Sequence, residues 1–159
     1  MQFAHVMLLV NDMEKAKKLW CDTLGFVVTN DKILPDGPAP ENFFTKEDFD
    51  AIWGAENAKS HMVTVMHPAT YASIELQQSI YPEAENIPRY ERQYRHQGIR
   101  EVAFYVTDIE QWYEKIKAAG YEMQTDFIWV TVANTKSFLF LDDDGNQIQL
   151  CEIAQMPQE

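Results

Sequence analysis

Four side chains stand where they can do chemistry together, and the first to stand out is Glu101. It sits inside Gly98-Ile99-Arg100-Glu101-Val102-Ala103-Phe104-Tyr105-Val106, a run that reads as a buried strand. Alternation puts Val102, Phe104 and Val106 on one face and Glu101, Ala103 and Tyr105 on the other. A carboxylate inside an apolar strand is unfavourable to bury without a partner. Either that face is wet or Glu101 meets a charge there. The other three side chains are His5, Glu75 and Gln149, each on the polar side of its own alternating run.

What relates the four is an internal repeat. His5-Val6-Met7-Leu8-Leu9-Val10-Asn11-Asp12-Met13-Glu14 lies over Glu101-Val102-Ala103-Phe104-Tyr105-Val106-Thr107-Asp108-Ile109-Glu110, 96 residues further on. Ser73-Ile74-Glu75-Leu76 lies over Gln147-Ile148-Gln149-Leu150, 74 residues further on. His5 therefore corresponds to Glu101, and Glu75 to Gln149. Each half reads as a strand, a helix and about three strands. The expected fold class is α+β, with two paired βαβββ modules forming a mixed or antiparallel sheet around a central cavity. The helices take the apolar faces (Val6, Leu8, Val10, Ile74, Leu76, Val102, Phe104, Val106, Ile148, Leu150), and the opposite faces line the cavity.

The remaining elements follow from local signals. Residues 3–10 alternate as a strand, and Asp12 is placed to cap a helix whose buried stripe is Met13, Ala16, Leu19 and Trp20. Gly25 closes that helix, residues 26–33 extend again, and Pro35, Gly37, Pro38 and Pro40 force a loop. Thr45 starts a short helix with Phe49, Ile52 and Trp53 inside, ended by Gly54. Residues 60–67 and 71–77 read as strands around a turn at Pro68. Residues 81–97 are polar and rich in Tyr and Arg, and read as a linker. Asp108 caps a second long helix, with Gln111 as its capping-box partner and Ile109, Trp112, Tyr113 and Ile116 buried; Gly120 ends it. Residues 122–132 and 136–141 are strand-like. Asp142-Asp143-Asp144-Gly145-Asn146 is a tight turn in which Gly145 and Asn146 tolerate positive φ, and residues 147–152 form the last strand. Residues 156–159 read as a frayed tail. The whole, 1–159, is expected as a single domain, with module one at about 1–79, a linker at about 80–97 and module two at about 98–153.

Composition narrows the partners. A formal net charge of −12 over 159 residues disfavours nucleic acid and anionic membrane surfaces. No run is apolar and long enough to span a bilayer, and the N-terminus lacks a basic start and an apolar core, so no signal peptide is expected. Two cysteines, Cys21 and Cys151, make no disulfide framework, and a reducing cytoplasm is the expected compartment.

On these residues the sequence resembles the vicinal oxygen chelate superfamily, the glyoxalase/bleomycin-resistance/extradiol-dioxygenase group. The matching pieces are His5 to Val10, Asp12 with Leu24-Gly25-Phe26, Ser73 to Leu76, Gly98 to Val106 with Asp108, and Asp142 to Leu150. The resemblance implies one divalent metal held by four side chains, here His5, Glu75, Glu101 and Gln149. One imidazole, two carboxylates and an amide oxygen make an acceptable set for such an ion, oxygen-rich and favouring Mg, Mn or Fe(II) over zinc. The family pattern usually has His where this chain has Glu101, and Glu where it has Gln149. It also implies a homodimer and a small-molecule substrate. One expected function is a glyoxalase- or epimerase-like lyase or isomerase, working through a metal-stabilised enediolate with Glu101 as ligand, base or both. Met7, Leu9, Tyr105 and Phe127 or Trp129 would shape the substrate pocket. The alternative is a metal-free protein that sequesters an apolar or aromatic compound, motivated by the two departures. An extradiol dioxygenase ranks last, because that chemistry wants two histidines on Fe(II) and His5 is the one histidine among the four.

Other candidates weigh less. His61, His67 and His96 read as surface or capping groups and Cys151 as a buried inert thiol. The segment holding Tyr81, Arg89, Tyr90, Arg92, Tyr94 and Arg95 would serve as a module or dimer contact, or as a clamp on an acidic or aromatic ligand.

Overall fold

The computed structural model describes residues 3–37, 43–92, 94–131 and 134–153. The loop residues Pro38 and Pro40, the strand end at Val132 and the tail at 156–159 lie outside them. The chain divides into two units, Met1–Asn86 and Ile87–Glu159.

In the first unit, β1 (Val6–Leu9) leads to α1 (Met13–Lys17), which continues as a π-helical turn over Lys18–Thr23. β2 (Val27–Leu34), α2 (Lys46–Trp53), β3 (Lys59–Met66) and β4 (Ser73–Tyr81) follow. The sheet order is β1-β4-β3-β2. β1 runs parallel to β4, and the other neighbours are antiparallel. The apolar stripe behaves as expected at Met13, Leu19 and Trp20, all buried. The change to wider π winding lets the consecutive residues Leu19 and Trp20 both turn inward, and the wide turn is closed by Leu24 N–H to Leu19 O at 2.9 Å. Gly25 then takes φ +82°, which a side chain would resist. α2 covers a second small core of Leu34, Phe49, Ala58 and Met62. Ile52, expected on its buried side, is exposed.

The second unit holds β5 (Glu101–Tyr105), α3 (Ile109–Ala118), β6 (Glu122–Met123), β7 (Trp129–Val130), β8 (Thr135–Leu141) and β9 (Gln147–Ile153). Its order is β5-β9-β8-β6, with β7 also pairing β8. The strand expected over 122–132 is thus two short pieces, because the polar run Gln124-Thr125-Asp126 breaks the apolar alternation. α3 buries Ile109, Tyr113 and Ile116, and the Tyr113 ring meets Phe138 edge-on at 5.2 Å. In the 142–146 turn, the positive φ falls on Gly145 (+81°). Asn146, expected to share it, instead bonds through its side chain. It donates to Asp142 Oδ2 at 2.8 Å and accepts from Arg92 Nη1 at 2.8 Å. Burial pushes the Asp142 carboxyl above its ordinary pKa, against the hydrogen bonds it accepts from Asn146 and Asp144.

The expected α+β class and βαβββ repeat are both present. The repeat extends to register. Val6, Met7, Leu8 and Leu9 face Ile74, Glu75, Leu76 and Gln77. Their counterparts Val102, Ala103, Phe104 and Tyr105 face Ile148, Gln149, Leu150 and Cys151.

The cap of α3 also differs from the expectation. Asp108 does not cap α3 with its side chain; it sits at φ +58° and makes no such bond. The Glu152 carboxylate, arriving from β9, accepts the N–H of Asp108 at 3.1 Å and of Ile109 at 3.4 Å. The equivalent residue of the first unit, Gln78 on β4, accepts the Met13 N–H at 3.2 Å. There Asp12 also caps in the usual way, taking the N–H groups of Glu14 and Lys15 at 3.1 Å each. A carboxylate brought in by the neighbouring strand satisfies orphan donors and meets the helix dipole as well as a local cap would. Replacing Glu152 with Ala should therefore lower the unfolding free energy by about 1 kcal/mol, the usual loss for a cap. Asp108→Asn, which keeps the tolerance for positive φ, should stay within about 0.5 kcal/mol of wild type. Urea titrations of both variants check the assignment, which fails if the Asp108 change is the larger.

Candidate functional site

The first unit brings two of the four expected ligands together. His5 lies one residue before β1 and Glu75 in the middle of β4. Parallel pairing sets Met7 opposite Glu75, so His5 comes to the carboxylate from two positions earlier. His5 Nε2 is 3.8 Å from Glu75 Oε2, with side chains 45% and 20% exposed. Two donors that each approach one ion to about 2.0–2.2 Å can be no more than about 4.4 Å apart. The pair meets that limit and is open to a ligand, so on donor chemistry and spacing it fits a hard divalent ion. Within this unit, the described residues bring no third His, Cys, Asp or Glu to the pair.

Glu75 is held from behind by a polar chain that sequence reasoning missed. Gln77 Nε2 donates to Glu75 Oε1 at 2.9 Å, and Ser60 Oγ donates to Gln77 Oε1 at 2.6 Å. Both Gln77 and Ser60 are buried. The available signal was spacing, since Gln77 is two residues beyond Glu75 and must share its face. A buried amide with both ends engaged has one orientation, and it passes that order to the carboxylate.

In the second unit, Glu101 opens β5 opposite Gln147, and Gln149 pairs with Ala103. Both are half-buried. Glu101 has found a partner, though not a charge. The Tyr94 hydroxyl donates to Glu101 Oε2 in a short hydrogen bond. Desolvation, and then that bond, push the Tyr94 phenol above its ordinary pKa, so it remains the donor at neutral pH. Tyr94 belongs to the segment expected as a module or dimer contact or as a ligand clamp, and here it reaches back to the start of β5.

The expected substrate-contacting residues are accessible. Met7, Leu9 and Tyr105 are exposed on the side of their strands that carries the polar candidates, and Phe127 is exposed as well. Trp129 is half-buried on β7, opposite Ser137. A separate cleft of about 370 Å³ opens past the other end of β1 from His5, with Asn11, Gln78, Ser79, Glu83 and Asn86 in its wall.

The lesser candidates behave as surface chemistry predicts. His61 Nε2 pairs with Asp31 Oδ1 at 2.6 Å, and His67 Nδ1 meets Thr70 Oγ1 at 3.2 Å. His96 lies against Arg95. Cys151 is buried, and burial pushes the Cys21 thiol up, away from thiolate reactivity.

Known proteins share the family pattern and the fold of this chain. The family description of the Glyoxalase/Bleomycin resistance protein/Dioxygenase superfamily matches residues 2–150. A glyoxalase family protein from Bacillus cereus superposes with a TM-score of 0.80 at 14% identity, over 98% of this chain and 95% of that one. A glyoxalase family protein from Enterococcus faecalis gives 0.61 at 20%, covering 95% and 97%. The fosfomycin resistance protein FosX of Listeria monocytogenes, in complex with Mn(II) and sulfate, gives 0.60 at 16%, covering 95% and 91%. No relative among curated proteins matches the sequence.

The Ser60–Gln77–Glu75 chain has a thermodynamic signature. Gln77→Leu should destabilise the protein by about 1–3 kcal/mol, because it leaves the buried Ser60 hydroxyl without its acceptor. Adding Ser60→Ala should recover part of that loss. A double-mutant cycle read by urea unfolding checks this, and strictly additive effects would show that the two side chains do not act as one chain.

Proposed function

The chain belongs to the glyoxalase/bleomycin resistance protein/dioxygenase superfamily, and from that premise we propose that it is a divalent-metal-dependent lyase or isomerase acting on a small oxygenated compound. In this reading His5, Glu75, Glu101 and Gln149 hold the ion. The observation that carries it is the His5–Glu75 pair at 3.8 Å, repeated in position by Glu101 and Gln149 at the matching register points of the second unit. The Mn(II) bound by FosX supports a divalent ion, and the oxygen-rich set favours Mg, Mn or Fe(II) over Zn.

When bound, the ion supplies Lewis acidity toward neighbouring substrate oxygens. His5 would provide an imidazole nitrogen to the ion, and Glu75 a carboxylate steadied by Gln77. Glu101 takes the proton from the carbon next to the substrate carbonyl and returns it. The Tyr94 hydroxyl keeps Glu101 oriented through one oxygen and leaves the other, which would hold the ion and, on loosening from it, take the proton. Met7, Leu9, Tyr105 and Trp129 line the apolar side of the substrate site and keep water from the reacting carbon. The protein works as a homodimer in the cytoplasm. No helix of the described residues is long and apolar enough to cross a membrane.

A second reading has one observation in its favour. Tyr94 already occupies an oxygen of Glu101, and a carboxylate committed there leaves the pair His5 and Glu75 short of a full shell. The chain would then bind an apolar or aromatic compound without metal.

One experiment separates the two. Purified protein titrated with Mn(II) should bind one ion per chain, and His5→Ala or Glu75→Ala should abolish binding. In deuterated water the metal-loaded protein should exchange the α-proton of a small hydroxyketone, and Glu101→Gln should lower that rate by about 10²–10⁴. Exchange or ligand binding that survives chelator unchanged favours the metal-free reading.

A further inference from the structure

All four arginines of this acidic chain, Arg89, Arg92, Arg95 and Arg100, fall within twelve residues just before β5. Two of them converge on the same short 3-10 turn, Arg89–Arg92. Arg100 Nη1 donates to the Glu91 carbonyl at 3.0 Å. Arg92 Nη1 donates to Asn146 Oδ1 at 2.8 Å, and the Arg92 carbonyl accepts from Gln147 Nε2 at 2.8 Å. The turn, the start of β5 and the start of β9 are thereby tied together.

These contacts use little of what the two side chains offer. A guanidinium has five N–H donors in a fixed fork and stays charged at any physiological pH. Neither Arg92 nor Arg100 has a carboxylate within ion-pair distance among the described residues. Lys17, Lys32, Lys46 and Lys136 all do, to Glu14, Asp36, Asp50 and Glu110. In a chain of net charge −12, two cations left without an anion are conspicuous. The Nε of each is also enclosed without an acceptor. An enclosed charged donor with nothing to bond is unfavourable unless something completes it. Gly98 takes φ +119°, which favours glycine, and the end of the Arg100 side chain packs beside it.

We propose that Arg92 and Arg100 form an oxyanion-binding subsite on the second unit, which takes the phosphate, phosphonate or carboxylate group of a small ligand. Nε and an outer Nη of one guanidinium match two oxygens of such a group in the bidentate pattern that gives Arg its preference for these anions. An oxyanion held in that fork would supply the acceptor that each Nε lacks. The second arginine neutralises the remaining charge. The subsite adjoins the start of β5, one residue from Glu101, and it needs no metal.

The test uses the full-length protein with inorganic phosphate, methylphosphonate and acetate, each titrated by calorimetry at low salt with chelator present. At least one of these should bind at a single site. Arg100→Gln should weaken it by about 10–100-fold, as expected for losing a hydrogen bond to a charged group. Arg92→Gln should do the same, and because it also touches Asn146, unfolding curves must show that it remains folded. Lys59→Gln, an equal change of charge on an exposed lysine of the other unit, should leave affinity unchanged. Phosphate or methylphosphonate binding without acetate identifies the ligand group as phosphoryl-type; acetate binding identifies it as carboxylate. Absence of binding by all three at about 10 mM, near the weakest affinities that calorimetry resolves, overturns the proposal. So does an equal loss in Arg100→Gln and Lys59→Gln, which would reduce the effect to general charge. Chelator keeps the outcome separate from that of the metal reading.

Discussion

The parallel pairing of first and last strand is the constraint on which each unit rests. Val6 faces Ile74 and Leu8 faces Leu76 in one; Val102 faces Ile148 and Phe104 faces Leu150 in the other. Ile74, Leu76, Ile148 and Leu150 are all at most 2% exposed. Each such side chain gains about 1.5–3 kcal/mol from burial. A slip of one residue would carry them to the opposite face and bring Glu75 and Gln149 into the core. Register is therefore strongly determined, and the polar residues are on the accessible side because their neighbours cannot be.

The last strand of each unit works on both of its faces. Gln149 and Glu152 are three positions apart, so alternation sends them to opposite sides. One lies on the candidate-site face and the other reaches the N-terminus of α3. Glu75 and Gln78 repeat the arrangement in the first unit, where Gln78 reaches α1. Helix placement and the orientation of the candidate ligands thus depend on the same strand.

The polar groups near the candidate residues follow two different logics. Glu75 is oriented by Gln77 and Ser60, which are buried and fully engaged, a rigid support. Glu101 is oriented by Tyr94, from a segment outside the sheet, with a single donor. The first arrangement suits a group that must stay still. The second leaves one carboxylate oxygen available and suits a group that exchanges protons. Arg92 and Arg100 are anchored by an amide side chain and a backbone carbonyl, Asn146 and Glu91, rather than by a carboxylate among the described residues.

Much of this was legible in the sequence. The two-fold repetition of strand, helix and strands followed from the matching of residues 5–14 with 101–110, and the buried faces followed from alternation, because both signals are local and periodic. Aligning the two halves matched His5 with Glu101 and Glu75 with Gln149 and put all four on accessible faces; that His5 and Glu75 share a site was implied by the family resemblance, and their contact is in the structure. Other features were decided by tertiary structure alone. The cap of α3 comes from Glu152, 44 residues away, and no local rule compares a distant carboxylate with the adjacent Asp108. The wide turn after α1 answers to the core that Leu19 and Trp20 must both enter. Tyr94 reached Glu101, and Arg92 and Arg100 met at one turn, because a stretch that reads as a polar linker folds back on β5 and β9. Periodicity reports which face a residue takes within its own element. Which side chains from separate segments meet there is settled by the packing of those segments, where hydrogen bonds and charge select among contacts that the sequence pattern leaves equivalent.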